Sequence, residues 1–160
     1  MKILITGGAG FIGSHLCDAL MERGHNLTVV DNLILGRKEN ISHLLGKVGF
    51  EFIEEDLLQT EAMRDIFKDR KFDMVYHLAA NSDIQKGGKD PQVDYDLTFN
   101  TTYHVLRYLK EFGIRKFFFA STSAIYGETS DVLNEDYGPL RPVSNYGAGK
   151  LASELSLIHI

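Results

Sequence analysis

The stretch Thr6-Gly7-Gly8-Ala9-Gly10-Phe11-Ile12-Gly13-Ser14 follows directly after the apolar run Lys2-Ile3-Leu4-Ile5. The apolar run predicts a strand, and the amphipathic segment from Phe11 to Arg23 predicts a helix. Glycines suit the turn between them because they tolerate positive φ and let a ligand approach the backbone. The free N–H groups at the start of the helix favour a pyrophosphate. The stretch therefore predicts a phosphate cradle, and the alternative is a glycine-rich turn without a ligand.

A second apolar run, Asn26 to Val30, ends in Asp31. Dinucleotide-binding sheets hold the adenosine ribose hydroxyls with a carboxylate about 20 residues beyond the glycines. A carboxylate would also repel a 2′-phosphate, so Asp31 favours NAD over NADP. The alternative reading of Asp31 is a solvated acid at the end of a strand.

The composition is that of a single globular domain, with 160 residues, 44% hydrophobic and 24% charged. A net charge of -5 gives no reason to expect nucleic acid or an anionic membrane as a partner. Cys17 is the only cysteine, which excludes an internal disulfide and fits a cytoplasmic protein. The apolar runs are too short for a membrane span. The Cys and His spacing predicts no metal site.

The rest of the chain alternates between strand and helix patterns. Further strands are predicted at 50–54, 73–80 and 116–120, the last of them buried on both faces. Helices are predicted at 60–71 with a Thr60 cap, at 93–112 and after a Ser144 cap, with a weak helical stretch ending at Leu45. Loops are predicted at 82–91 and 126–142. Short connections between alternating elements predict an α/β fold with a doubly wound parallel sheet.

Chemistry-bearing residues follow the predicted strands. Asp56 is a further carboxylate at a strand end, and the hydroxyl cluster Ser121-Thr122-Ser123 ends the fifth strand, where ligands of such sheets bind. His77 is expected to pack or form a hydrogen bond. Read alone, the hydroxyl cluster also fits a turn or a cap.

Tyr146 and Lys150 are spaced i and i+4, which places them on one helix face. A phenol has a pKa near 10, and a neighbouring cation favours phenolate, so Lys150 is expected to help Tyr146 act as a base. Two surface residues on a helix are the alternative reading.

Together these segments resemble the extended short-chain dehydrogenase/reductase family, in particular its NAD-dependent nucleotide-sugar epimerases and dehydratases. The matching motifs cover nearly the whole chain: 6–13, 31–33, 56–57, 77–80, 121–127 and 146–150. The resemblance implies a Rossmann fold and catalytic roles for Thr122, Tyr146 and Lys150. It also implies a set of NAD-binding residues: Gly7, Gly10, Phe11, Ile12 and Gly13 for the pyrophosphate, Asp31 and Asn32 for the ribose, Asp56 and Leu57 for the adenine, with Leu78, Ala79, Ala80, Thr98, Tyr146 and Lys150.

By this resemblance the expected function is epimerisation of a nucleotide sugar through transient oxidation of a sugar hydroxyl, in a cytoplasmic homodimer. Related dehydratases carry an Asp-Glu pair directly after the catalytic Thr, whereas this chain has Ser123-Ala124 there, which disfavours dehydration. Thr98 stands where many relatives have Asn, and a lysine of some 4-epimerases is replaced near Ser82. A dehydratase or reductase of the family and a catalytically silent NAD-binding module remain alternatives.

The end of the chain carries two further expectations. Residues 1–154 are expected to form an incomplete NAD-binding domain, with the C-terminal substrate domain missing and a strand edge exposed. Residues 155–160 resemble a translated sequencing adapter and are expected to be an artefactual tail.

Overall fold

The computed structural model of the chain describes residues 1–158, apart from the side chain of Ile84. Its sheet has five parallel strands in the order β3-β2-β1-β4-β5. The strands are β1 (Lys2–Thr6), β2 (Asn26–Asp31), β3 (Phe50–Glu54), β4 (Met74–His77) and β5 (Phe117–Phe119). The parallel α/β sheet is confirmed. Because the strand order reverses beside β1, the carboxyl ends of β1 and β4 form a topological switch point, where such sheets bind ligands.

One face of the sheet is covered by helix α1 (Phe11–Glu22). Side chains alternate along a strand, so Ile3 and Ile5 share a face, and they form one buried cluster with Cys17 and Leu20 of α1. Burial raises the pKa of the Cys17 thiol to about 12, so this residue is an inert packing element.

A second core is aromatic and joins α2 (Thr60–Arg70) to α5 (Thr101–Glu111). The ring centroid of Phe67 lies 5.0 Å from that of Tyr108 and 5.7 Å from that of Phe72. The Tyr108 hydroxyl donates to the carbonyl of Thr60 at 2.8 Å. Helix α2 begins at Thr60, and Gln59 occupies the cap position without a side-chain hydrogen bond. The predicted role of Thr60 as a side-chain cap is therefore wrong.

The predicted loop 82–91 is wrong at its centre, which forms helix α3 (Ile84–Lys89). Asp83 caps this helix by accepting from the N–H of Lys86 at 3.0 Å. Asp90 caps the next helix, α4 (Pro91–Asp94), by accepting from the N–H of Gln92. These side-chain caps outweigh the helix-breaking tendency of the paired glycines within α3.

The predicted long helix 93–112 is confirmed as a continuous run from α4 to α5, interrupted by a π-helical segment, Tyr95–Asn100. At the end of that segment the Thr102 hydroxyl donates to the carbonyl of Thr98 at 2.7 Å, and Thr101 donates to that of Leu97 at 3.0 Å. Such bonds compete with the helical ladder, and π segments occur frequently at functional sites.

The remaining elements include one more difference from prediction. The weak helix is a 3-10 segment, Lys38–Leu44, and the predicted loop 126–142 has no helix beyond Tyr126. β5 is an edge strand, and Phe118 is 48% exposed, so the prediction of burial on both faces is wrong there.

The last helix, α6 (Asn145–Ile158), is capped as predicted by Ser144, whose hydroxyl accepts from the N–H of Gly147 at 3.0 Å. The helix continues through four of the six residues assigned to an artefactual tail, while 159–160 lie outside the described residues. The origin of that tail stays a prediction. In the part of the chain that the structure describes, no helix is long and apolar enough to cross a bilayer.

The chain divides into two compact units. The sheet unit contains Met1–Ala79 and His104–Ala120. Among the described residues, the tyrosine unit contains Ala80–Tyr103 and residues 121–158.

Candidate active site

The glycine turn after β1 is closed by contacts that only glycine allows. Gly7 has φ +73, and a Cβ there would lie 2.7 Å from the backbone nitrogen of Ala79, which follows β4. A Cβ on Gly13 would overlap the Gly7 carbonyl and lie 2.6 Å from the Cα of Gly8. The glycines thus let the start of α1 and the end of β4 approach the turn closely.

The first turn of α1 fits an anionic ligand. Gly10 is the cap residue, and among the described residues it provides no side-chain cap hydrogen bond to the N–H groups that follow it. Such first-turn groups lack helical partners and lie at the positive end of the helix dipole. Phe11 and Ile12 at this position are 79% and 67% exposed. An NAD pyrophosphate matches this arrangement of backbone donors.

Asp31, predicted to hold the ribose, is a buried carboxylate that also organises the loop. It accepts from the N–H of Ala9 at 3.0 Å and from the N–H of Leu33 at 2.9 Å, one bond on each oxygen. A Cβ on Gly36 would lie 2.7 Å from the nearer carboxylate oxygen of Asp31, so the position that packs over this carboxylate requires glycine. Each oxygen keeps a second lone pair, so the fixed carboxylate fits a hydroxyl pair.

Asn32 and Asp56, predicted to bind the adenosine, are brought together. The Asn32 amide donates to the Asp56 carboxylate at 3.1 Å, which joins the ends of β2 and β3. Asp56 also accepts from the N–H of Leu58 at 2.8 Å, and Leu57 between them is buried. His77 is fully buried and shares a 2.6 Å hydrogen bond with the Thr6 hydroxyl, as expected for a packing residue.

In the tyrosine unit the structure joins Thr122 to Tyr146. Thr122 caps the 3-10 segment Ser123–Tyr126, accepting from the N–H of Ala124 at 3.2 Å. Its side chain also acts as a hydrogen-bonding group that lowers the pKa of the Tyr146 phenol. Desolvation raises the pKa of Tyr146 above its usual value, the Thr122 bond opposes the rise, and the charge of Asp94 adds to it. Burial is thus the largest influence on this pKa in the structure, and the expected help of Lys150 for Tyr146 as a base stays a prediction.

Lys150 lies on the same helix face as Tyr146, as its spacing predicts. The ammonium nitrogen is 5.9 Å from the centre of the Tyr146 ring, and the residue is only 2% exposed. Burial lowers the pKa of Lys150 to about 8, against the opposing influence of Glu154. A lysine with this pKa exchanges its proton close to neutral pH.

The glycines between Tyr146 and Lys150 explain how α6 reaches its neighbours. A Cβ on Gly147 would lie 2.7 Å from the carbonyl oxygen of Ala124, so this contact requires glycine. Gly149 faces the π segment, where its Cβ would lie 3.6 Å from Thr98. These contacts hold the tyrosine against the Thr122 segment.

Sequence reasoning missed two buried polar residues of the tyrosine unit, Asn81 and Asp94. The Asn81 amide donates to the Asp94 carboxylate at 2.7 Å, and its N–H donates to the Thr98 hydroxyl at 3.2 Å. Thr98 is fully buried, and its direct contact with a cofactor stays a prediction. The available signal was the i, i+4 spacing of Asp94 and Thr98, which puts them on one helix face.

The sequence profile of the NAD dependent epimerase/dehydratase family matches residues 3–160. The chain belongs to this family. Among its relatives is UDP-glucuronic acid decarboxylase 1 of Danio rerio, 38% identical over 96% of this chain and 36% of the relative. UDP-glucose 4-epimerase of Lacticaseibacillus casei is 34% identical over 96% of this chain and 45% of the relative.

A solved relative of this epimerase/dehydratase chain has the same fold. The Thermus thermophilus UDP-glucose 4-epimerase in complex with NAD superposes with a TM-score of 0.90 and 36% identity, covering 99% of this chain and 50% of the solved one. The chain therefore spans about half the length, or less, of these relatives. NAD is the cofactor of the family and fits the donor groups of the glycine turn.

Proposed function

We propose that the protein containing this chain is an NAD-dependent epimerase of nucleotide sugars. The observation that carries the proposal is the joined set of Thr122, Tyr146 and Lys150. A phenol whose pKa is lowered by the Thr122 side chain, with a buried amine 5.9 Å from its ring centre, is suited to transfer protons.

The residues of the glycine turn are proposed to bind the cofactor. The first-turn N–H groups of α1 would hold the pyrophosphate, Asp31 the adenosine ribose, and the Asn32–Asp56 pair the edge of the adenosine. NAD, when bound, supplies a reversible hydride acceptor.

The tyrosine unit is proposed to handle the proton. Tyr146 removes the proton of a sugar hydroxyl as its carbon is oxidised and returns it when the keto sugar is reduced on the opposite face. Thr122 donates to the reacting oxygen and orients it. Lys150 binds the nicotinamide ribose, and its pKa of about 8 lets it exchange a proton at neutral pH.

Epimerisation is favoured over dehydration by the residues after Thr122. Elimination of water needs an acid and a base besides the tyrosine, and Ser123-Ala124 supplies no carboxylate. Decarboxylation of a nucleotide uronic acid is the second candidate, because the decarboxylase from Danio rerio is 38% identical to this chain. It would begin with the same oxidation step.

We also propose a cytoplasmic homodimer. The support for a self-association face is an aromatic row on the long helix, in which Tyr95, Phe99 and Tyr103 contact one another at 6.0 and 6.3 Å between ring centroids. Tyr95 and Tyr103 are about half exposed. Light scattering of the complete protein and of its Tyr95→Ser, Tyr103→Ser variant tests this. An unchanged mass contradicts the proposed face.

The test of function uses the complete protein with NAD and three substrates: UDP-glucose, UDP-N-acetylglucosamine and UDP-glucuronate. NMR of the products is expected to show an inverted sugar carbon and no net NADH. Tyr146→Phe should abolish turnover and keep NAD binding, while Tyr103→Phe, on the exposed aromatic row, should change neither. Release of carbon dioxide from UDP-glucuronate, without epimerisation of the other two sugars, would favour decarboxylation. Bound NAD without turnover of any sugar would favour a cofactor-binding module.

A further inference from the structure

The amino edge of the sheet, where all five strands begin, carries a basic residue at every strand. Lys2 opens β1, and Lys116 directly precedes β5. Arg23, Lys47 and Lys71 each stand three residues before a strand, namely β2, β3 and β4. All five side chains belong to exposed residues, and together they are called the basic row. In a chain of net charge -5, the row is a local concentration of positive charge.

Backbone hydrogen bonds hold the strand starts side by side. The N–H of Leu27 donates to the carbonyl of Gly49 at 2.7 Å, which joins β2 to the turn before β3. The N–H of Val75 donates to the carbonyl of Lys116 at 3.0 Å, which joins β4 to the residue before β5. With about 4.8 Å between neighbouring strands, the basic row is roughly 19 Å long. An extended peptide of about six residues spans that length.

Local helix chemistry accounts for only part of the basic row. Basic residues are favoured at helix C-termini, which suffices for Arg23, the cap residue of α1. Lys71 follows α2 with φ +50, a left-handed conformation that glycine adopts more easily. Lys2 and Lys116 do not lie at a helix end. The positive charge at these last three positions is therefore not a by-product of helix capping.

A cavity of about 340 Å³ lies at the same edge. It is lined by the first residues of β1, β2 and β3, which are Lys2, Asn26 and Phe50, and by Phe72. Val48, in the turn before β3, is 99% exposed. The volume is at the lower end of the range for ligand clefts, so one large apolar side chain fits it.

Arg70, at the end of α2, also lines this cavity. Its guanidinium donates to both carboxylate oxygens of Glu51, at 2.8 and 2.7 Å. Glu51 in turn accepts from the hydroxyl of Thr28 at 3.2 Å, which fixes the carboxylate. A guanidinium has five N–H groups, so the oriented Arg70 keeps donors for a second carboxylate.

We propose that the basic row and its cavity form a docking site for an acidic segment of a partner protein. Carboxylates of the segment pair with the row, and one apolar side chain of the segment anchors it in the cavity. A phosphate backbone fits less well, because exposed acids are interspersed with the row and the cavity has aromatic walls. These acids are Glu22, Asp69 and Asp73. The site is at the opposite edge of the sheet from the glycine turn, so it is separate from the proposed cofactor site.

The test is fluorescence anisotropy of the complete protein with a labelled peptide of Asp and Glu that has one central Phe. Lys47→Gln combined with Lys116→Gln is expected to weaken binding roughly fivefold, since each exposed ion pair contributes modestly. Arg37→Gln combined with Lys38→Gln removes the same charge after the carboxyl end of β2 and is the matched control, which should bind normally. Added salt should weaken binding to the wild type.

A second peptide, with Ser in place of Phe, tests the cavity. It is expected to bind roughly tenfold more weakly, because the apolar anchor is lost. Absence of binding, equal binding of the two peptides, or an unchanged affinity in the Lys47, Lys116 variant overturns the proposal. Single-stranded RNA that binds more tightly than the Phe peptide also overturns it, because charge alone would then explain the surface.

Light scattering decides whether a second copy of the chain occupies the site instead. The segment 128–136 is exposed and carries four acids, so it has the same chemistry as the proposed partner. The Lys47, Lys116 variant is expected to keep the mass of the wild type. A lower mass would assign the surface to self-association and overturn the proposal. These measurements need no sugar turnover, so they are independent of the proposed function.

Discussion

Replacing Lys150 by Met is predicted to stabilise the folded protein at neutral pH while destroying its activity. Burial lowers the pKa of Lys150 from 10.5 to about 8, and the residue is 2% exposed. At about 1.4 kcal/mol per pH unit, keeping this amine protonated in the folded state costs roughly 3 kcal/mol. Methionine has a similar length and no charge, so the variant should gain up to about that amount at pH 7.

The sign of the pH dependence follows from the same lowered pKa. Below pH 8 both the folded and the unfolded chain hold the proton, and the folded state bears the full cost. Between pH 8 and 10.5 the folded state releases the proton first, so the unfolded state binds more protons and stability rises with pH. The cost is gone above 10.5. In Lys150→Met this contribution is absent.

The assay is urea denaturation of the complete protein and its variants at several pH values from 7 to above 10. The free-energy difference between Lys150→Met and wild type should be largest at pH 7 and shrink across that window. Lys110→Met, at an exposed position of α5, is the control and should stay within about 0.5 kcal/mol of wild type at every pH. A variant that is less stable than wild type at pH 7, or a difference that does not vary with pH, would refute the reasoning.

Three further predictions concern the turn, the ribose acid and the last helix. Gly13→Ala should abolish NAD binding and destabilise the fold by at least ~2 kcal/mol, since its Cβ meets the backbone of Gly8, and calorimetry finding normal NAD affinity would contradict the cradle. Asp31→Asn should weaken NAD binding roughly 10- to 100-fold by calorimetry, because charge-assisted hydrogen bonds are lost. It should also narrow the preference for NAD over NADP, and an unchanged ratio of the two affinities would argue against ribose binding. Ser144→Ala should cost about 1 kcal/mol in urea denaturation through loss of the cap on Gly147, whereas no measurable loss would mean that tertiary packing alone fixes α6.

Local patterns made much of the fold predictable. The glycine turn, the positions of the strands and the Tyr146–Lys150 face depend on periodicity and on spacings of a few residues, which a sequence displays directly. The Ser144 cap is local in the same way. These features also identified the family, because its motifs lie at the ends of the predicted elements.

The remaining differences arise where a local rule competes with another or with burial. In α3 the Asp83 cap outweighed Gly87-Gly88, which a propensity argument could not decide. The raised pKa of Tyr146 depends on desolvation and on Asp94, a residue far from it in sequence. Phe118 is exposed because β5 is the sheet edge, and strand order is a property of the whole chain.

The measurement that bears most directly on the central claim is turnover of a nucleotide sugar in D2O by the complete protein with bound NAD. In the proposed mechanism Tyr146 takes the proton of the sugar hydroxyl, and the hydride that leaves the sugar carbon returns to the same carbon. The inverted carbon is therefore predicted to keep its original hydrogen. Tyr146→Phe should give no product. Deuterium at the inverted carbon, or free NADH accumulating with a keto product, would contradict the account.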